Sequence, residues 1–246
     1  MDRLMEVCGD EKDRLEGASA ERVLAWALER FGPRVALASS FGAEDVVLID
    51  MWWRLDPKVR VFTLDTGRLH EETYEVMEEV RRKYSITIQS VFPDREDVER
   101  LEREHGFYSF RESIEARKTC CGIRKVEPLR RALSGLGAWV TGLRREQAAT
   151  RVSVRSVEWD AVNGLVKVNP LVEWTSSQVW DYIRKHGVPY NALHDRGYPS
   201  IGCAPCTRPV QPGEDIRAGR WWWENPEHKE CGLHVQSGNS DRRQGN

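Results

Sequence analysis

Apolar positions in the first half of the chain alternate between two rhythms. Val23, Leu24, Ala27, Leu28 and Phe31 recur at intervals of three and four, which predicts an amphipathic helix over Glu21–Phe31 ended by Gly32-Pro33. Val35–Ala38 (VALA) is then a short unbroken apolar run, suited to a buried strand. The turn Ser39-Ser40-Phe41-Gly42 leads into Ala43–Leu55, which reads as a helix apolar nearly all round. The alternation repeats with Val59–Leu64 as strand, Asp65-Thr66-Gly67 as turn, and Leu69, Val76, Met77, Val80 and Tyr84 as one helix face. Ile86–Phe92 predicts a third strand, Asp94–Glu104 a charged helix, Val126–Leu133 another helix and Ala138–Thr141 a fourth strand. Strands alternating with helices build βαβ units, so a doubly wound α/β fold with a mainly parallel sheet is expected. Ligands of such sheets bind beyond the C-terminal strand ends.

Residues 1–20 read as a short helical lead-in. Thr175-Ser176-Ser177-Gln178 is a capping box that opens a helix carrying Val179, Tyr182 and Ile183 on one face, and Gly187 closes it. Beyond it come five prolines, at 199, 205, 209, 212 and 226, and the run Trp221-Trp222-Trp223, an irregular segment of the kind a ligand organises. From Ser237 the chain is polar, which predicts a disordered tail over 237–246 after a single domain spanning 1–236. No internal repeat is present.

The chain has 246 residues, enough to bury a core without disulfides. Charged residues at 31% and hydrophobic ones at 40% exclude a membrane protein and a disordered chain. Lys plus Arg number 37 against 39 for Asp plus Glu, a net charge of −2, which argues against a dedicated nucleic-acid binder. The opening MDRLMEVCGDEKDRLEG has no apolar signal region, and no segment is apolar for long enough to span a membrane. A soluble, cytoplasmic protein is expected, and its six cysteines are then poor candidates for disulfide staples.

Their spacing is informative. Cys120-Cys121 and Cys203-Ala204-Pro205-Cys206 form two pairs far apart in the sequence. A structural zinc site, a redox CxxC and unrelated buried thiols are the ordinary readings. Adjacent Cα atoms lie only about 3.8 Å apart, so turning both side chains onto one tetrahedral zinc strains the backbone; zinc pairs are usually spaced by two to four residues. A [4Fe–4S] cluster offers each thiolate its own iron, and the adjacent pair favours it over zinc. Cys8 has no partner pattern. Cys231, in Glu230-Cys231-Gly232-Leu233-His234, stands apart from both pairs; a nearby His favours the nucleophilic thiolate, and Glu230 opposes it.

Ser39-Ser40-Phe41-Gly42 joins a strand to a helix, where backbone N–H groups and the helix dipole can hold an anion. It matches neither GxxxxGK[ST] nor GxGxxG, which disfavours a Walker ATPase and a Rossmann dehydrogenase. Cations gather at similar places: Arg144-Arg145 after Gly142, Arg124-Lys125 after the cysteine pair, and Arg217 and Arg220 before the tryptophan run.

Together SSFGAEDV at Ser39–Val46, LDTGR at Leu64–Arg68, KTCCGIRK at Lys118–Lys125, TGLRREQ at Thr141–Gln147, GCAPCTR at Gly202–Arg208 and GRWWWENPEHKECGLH at Gly219–His234 resemble the assimilatory sulfonucleotide reductases, most nearly their iron–sulfur adenylylsulfate reductases. The resemblance spans roughly residues 35–235. It implies a fold related to the ATP pyrophosphatases (adenine nucleotide alpha hydrolase-like) and reduction of adenosine 5'-phosphosulfate (APS) to sulfite and AMP. The Ser39–Gly42 turn corresponds to a modified pyrophosphate loop that lacks the Lys of SGGKDS, as suits binding a sulfonucleotide without cleaving ATP. The resemblance further implies that Cys120, Cys121, Cys203 and Cys206 hold one [4Fe–4S] cluster per chain. Cys231, within a catalytic segment at about 207–236, becomes the nucleophile. Ser39, Ser40, Phe41, Gly42, Leu64, Lys125, Gly142, Arg144, Arg145, Arg217 and Arg220 become the substrate contacts. Thioredoxin as electron donor and a homodimer or homotetramer are likewise implied, with no nucleic-acid or membrane partner. The alternatives are a reductase of PAPS, the 3'-phosphorylated form of APS, or of both, an ATP-dependent tRNA thiolation enzyme, and a zinc-binding module.

Overall fold

Short apolar runs supply the strands, and the helices between them cover both faces of the sheet they form. The computed structural model describes residues 2–148, 151–225 and 233, with backbone alone at 2, 3, 7 and 10. Its strands are β1 (Val35–Ala38), β2 (Val61–Leu64), β3 (Ile88–Val91), β4 (Ala138–Val140), β5 (Val157–Asp160) and β6 (Leu165–Val168), in the order β3-β2-β1-β4-β6-β5. Every pairing is parallel except that of β5 with β6. The expected doubly wound, mainly parallel architecture is therefore present, with one antiparallel edge.

Alternate side chains of each central strand enter opposite layers, as the strand period of two requires. Val35 and Leu37 of β1, Val61 of β2 and Ala138 and Val140 of β4 join the larger core. Ala36, Phe62 and Trp139 join the smaller one, with Leu129 and Leu133. The larger core is closed by α1 (Asp2–Glu11), α2 (Ala20–Phe31), α3 (Ala43–Leu55), α4 (Glu71–Tyr84) and α8 (Ser176–His186). The smaller is closed by α7 (Glu127–Leu133), and α5 (Arg95–His105) and α6 (Ile114–Cys121) complete the helices. α3 is buried from Asp45 to Trp52, which accounts for its apolar circumference.

Local chemistry sets the helix ends. The Ser19 hydroxyl accepts from Arg22 N, Asp94 accepts from the amides of Glu96 and Asp97, and Thr175 and Gln178 form the expected capping box. Gly187 closes α8 in the left-handed region at φ 59°.

Two features were not anticipated by the pattern. The β5–β6 hairpin hides behind polar letters: Lys167 is buried by pairing with Glu158 at 3.0 Å, so a lysine sits where an apolar residue would have announced a strand. α6 runs through a π-helical turn, Gly122–Val126, into α7 as one rod, and its sequence IEARKTCC has no apolar stripe. The strands are also shorter than the apolar runs, and Leu69 precedes α4 instead of lying on its face.

From β1 the chain moves outward to β2 and β3, then returns to the other side of β1 as β4. The crevice between the loops that leave β1 and β4 is the switch point, where open α/β sheets bind ligands. Among the described residues no helix is long and apolar enough to cross a membrane. Cys231 and residues 237–246 lie outside the described residues.

Candidate functional site

The loop after β1 is built on a strained residue. Phe41 adopts φ 58°, uncommon for a bulky side chain, with its ring wholly buried in the larger core. Its backbone thereby turns Ser40 and Gly42 toward the crevice. Ser40 donates from N and Oγ to Asp45 Oδ2 at 2.6 and 2.8 Å, and Phe41 N donates to Ser39 Oγ at 3.1 Å. Gly42 caps α3, whose first turn carries Glu44 and Asp45. Burial pushes the Asp45 carboxyl up to about 6, with Glu44 adding to the rise and the Ser40 hydrogen bonds opposing it. Across the crevice, Gly142 touches the same carboxylate. A Cβ there would stand 2.5 Å from Asp45 Oδ1 and 2.9 Å from Glu44 Cβ, so only glycine lets the β4 loop approach α3 so closely.

The crevice opens into a cleft of about 250 Å³. Of the residues expected to contact substrate, Ser39, Ser40, Gly42, Leu64, Lys125, Gly142, Arg144, Arg217 and Arg220 line it. Phe41 does not, since its ring belongs to the core and its contribution is the shape of the backbone. Arg145 also departs from the expectation: it turns away to Glu16, Glu173 and the Val154 carbonyl, tying the β4 loop to the segment before α2. Arg144 lines the cleft but is committed to protein partners. Its Nε donates to Glu44 at 2.8 Å, and its Nη1 donates to Glu146 at 2.7 Å and to the Trp174 carbonyl at 3.1 Å. A buried guanidinium bound to two carboxylates bolts α3 to the start of α8, because Glu146 also accepts from Ser176 N at 2.7 Å.

Asp45, Thr66, Arg151 and His194, none of them among the expected substrate contacts, also stand on the cleft wall. Asp45 lies inside the SSFGAEDV run, but nothing in its spacing sets it apart from Glu44 beside it. Arg151 had no motif to mark it. Leu233 is also on the wall and packs on the smaller core, two positions along the chain from Cys231.

Beside the cleft a smaller cavity is lined by Cys120, Cys121, Cys203 and Cys206, with Arg68, Arg124 and Lys125 among its walls. Cys203 and Lys125 border both spaces. Helix geometry separates adjacent side chains by about 100°, so Cys120 and Cys121 reach one cavity because it wraps the end of α6. The π-turn that follows carries Lys125, and such turns frequently occur at functional sites. All four thiols are free of disulfides. The Thr66 hydroxyl is hydrogen-bonded to Cys203 Sγ at 3.3 Å, and Arg124 donates to the Thr66 carbonyl at 2.8 Å and to Glu102 at 2.6 Å. Burial alone would push the Cys203 thiol up, but Lys125, Thr66 and Arg220 hold it below its ordinary value. Cys206 is pushed up to about 12 by burial and by neighbouring Cys203.

Four thiols in one cation-rimmed cavity can ionise together only on a group that brings positive charge, so the donor set fits an iron–sulfur cluster. Among the described residues no three His, Cys, Asp or Glu side chains sit closely enough for a single metal ion. The thiols border a cavity, and a polynuclear group takes one thiolate at each of its irons.

A family model described as the phosphoadenosine phosphosulfate reductase domain matches residues 34–209. The chain is 54% identical over 200 residues to the adenosine 5'-phosphosulfate reductase of Allochromatium vinosum, covering 81% of this chain and 78% of that one. It is 50% identical over 221 residues to the protein of the same name from Burkholderia cepacia, covering 89% and 88%. Among solved structures, the phosphoadenylyl-sulfate (PAPS) reductase of Candida auris in phosphate complex superposes with a TM-score of 0.70 at 31% identity, over 81% of this chain and 97% of that one. The FMN adenylyltransferase of Candida glabrata, with TM-score 0.55 and 15% identity over 92% and 84%, shares the fold alone, the adenine nucleotide alpha hydrolase-like one.

Proposed function

The chain belongs to the phosphoadenosine phosphosulfate reductase domain family, and from that premise we propose that it reduces APS to sulfite and AMP in sulfate assimilation. The observation that carries this reading is the juxtaposition of an anion-binding strand–helix crevice with the four-cysteine cavity, joined through Lys125 and Cys203. Relatives at about 50% identity that bear the name adenosine 5'-phosphosulfate reductase support APS as the substrate.

The nucleotide phosphate lies at the N-terminus of α3, where the amides of the Ser39–Gly42 loop and the helix dipole favour negative charge. Lys125, Arg217 and Arg220 offset the charge of the sulfuryl group and of the AMP that leaves. Cys231 thiolate attacks the sulfuryl sulfur; a sulfur–sulfur bond forms, the sulfur–oxygen bond to the phosphate breaks, and AMP departs with the electron pair. One thiol of an external dithiol then attacks Cys231 Sγ and expels sulfite. Its second thiol closes the disulfide and returns Cys231 to the thiolate, so the dithiol supplies both electrons. Thioredoxin is the donor of that chemistry. Leu233 on the cleft wall supports placing the ECGLH segment over the substrate.

Cys120, Cys121, Cys203 and Cys206 would hold one [4Fe–4S] cluster per chain, whose charge, when bound, polarises the region around Lys125 and the sulfuryl group without exchanging electrons. The single domain over 1–236, the cytoplasmic location and a homodimeric or homotetrameric assembly belong to the same proposal.

Sulfite release from APS and from PAPS, measured with the same reduced thioredoxin, tests the substrate. Faster release from APS at limiting concentration is expected. A clear preference for PAPS would move the chain to the other substrate of its family.

A further inference from the structure

Arg220 is held by contacts that leave its guanidinium little freedom. Its Cζ lies 4.7 Å from the centroid of the Trp221 ring, within range of a stacked cation–π contact. It also lies against the backbone of Gly202, where a Cβ would stand 2.5 Å from Arg220 Cζ and 3.0 Å from Nε. A side chain at 202 therefore could not coexist with this position of the guanidinium. Nη1 donates to Ser200 Oγ at 3.3 Å and to the Ile201 carbonyl at 3.0 Å, in the chain just before Gly202.

Trp221 is itself fixed. A second guanidinium, Arg117, lies over its ring with Cζ 4.7 Å from the centroid and forms a buried ion pair with Glu224 at 2.5 Å. The Trp221 backbone adopts φ 41°, a strained value for an aromatic residue, which persists only where the surroundings determine it. Trp221 N donates to the Cys206 carbonyl at 3.1 Å, and Arg220 pairs with Thr207 in an antiparallel bridge. Thr207 Oγ1 accepts from Gly202 N at 3.1 Å and donates to the Cys203 carbonyl at 3.0 Å. The loop that carries Cys203 and Cys206 and the segment that carries Arg220 are thus stitched into one unit.

We propose that Gly202 and Trp221 are positioning residues that act through Arg220, fixing its guanidinium in the cleft so that the seat of the cysteine loop sets how tightly the nucleotide phosphate is held. The proposal rests on the functional reading above for the identity of the ligand. It supplies a route by which the cysteine region governs substrate affinity with no electron passing between them. It also explains the residue types: a glycine at 202 because a guanidinium occupies the space of its side chain, and an aromatic at 221 because a planar cation stacks on it. A lysine at 220 would keep the charge and lose the stacking plane.

A double-mutant cycle tests it, with AMP as the probe in titration calorimetry and urea unfolding run on the same proteins. Gly202→Ala should weaken AMP binding by roughly 10- to 100-fold, the range for losing a hydrogen bond to a charged group, and in turnover the loss should fall on KM for APS more than on kcat. In an Arg220→Ala background, where the methyl has room, Gly202→Ala should cost no further affinity, and its cost in urea stability should shrink. Trp221→Phe should retain more AMP affinity than Trp221→Leu. Equal losses from Gly202→Ala in both backgrounds would overturn the proposal, since Gly202 would then act on the cysteine loop without Arg220. Wild-type protein that bound no AMP would overturn the nucleotide reading, and the urea cycle would still decide whether Gly202 and Arg220 oppose each other.

Discussion

Asp45 concentrates the tension of the site into one side chain. Its carboxylate takes both the N–H and the hydroxyl of Ser40 in a loop shaped to receive an anion. The groups facing it are Glu44 on its own helix, Ser40 on the β1 loop and Gly142 on the β4 loop, while Arg144 is committed to Glu44. Because burial pushes the Asp45 carboxyl up to about 6, the folded chain keeps a proton that the unfolded chain loses near its ordinary value of about 3.9. Over that window the folded state binds more protons, so Asp45 makes stability fall as pH rises from about 4 to about 6 and leaves it at the lower level above. Asp45→Asn should remove this fall. Measured by urea unfolding across pH, the stability of the variant relative to wild type should rise by about 2–3 kcal/mol between pH 4 and pH 7. Parallel profiles would show that Asp45 titrates at its ordinary value.

At the scale of elements, the cleft stands on a helix that is clamped well away from it. Asp50, buried in the middle of α3, accepts from Arg54 at 2.6 Å, from Tyr84 of α4 at 2.9 Å and from Tyr182 of α8 at 2.7 Å. Burial would raise this carboxyl, but the hydrogen bonds from Arg54, Tyr182 and Tyr84 hold it below the usual range. Tyr182→Phe should cost about 1.5–3 kcal/mol in urea unfolding, the range for a hydrogen bond to a charged group, with KM for APS unchanged. A smaller loss would mean that the tyrosine adds little to the clamp. Most of the helices and four of the strands were legible in the sequence because their apolar spacing reports burial directly, whereas α6, with no apolar stripe in IEARKTCC, was not. The β5–β6 hairpin was not, because Lys167 enters the interior on the strength of a partner, Glu158, that spacing cannot reveal. The site was legible to the same degree. Cys120-Cys121 and the CxxC announced a shared site, since their chemistry is local to the motif. Arg144 and Arg145 were indistinguishable as letters, and only the carboxylates around them decide that one borders the cleft and the other faces away.

Across the whole molecule, the order of the strands explains why these motifs meet. Placing β4 beside β1 opens the crevice between Ser40 and Gly142. The rod formed by α6, the π-turn and α7 then carries Cys120, Cys121 and Lys125 to its rim, while the irregular segment returns Cys203, Cys206, Arg217 and Arg220 from far along the chain. On the proposed reading, the crevice takes the anionic nucleotide beside the four-cysteine cavity, and covalent chemistry falls to Cys231, the motif cysteine outside that set. Mixing the purified, cluster-loaded protein with APS in the absence of any dithiol tests this division of labour most directly. The account predicts a burst of about one AMP per chain, as covalent catalysis requires, with one SO3 group retained on the peptide that contains Cys231, and neither in Cys231→Ser although that variant still binds AMP. A Cys231→Ser protein that released AMP and kept the adduct at the wild-type rate would contradict it.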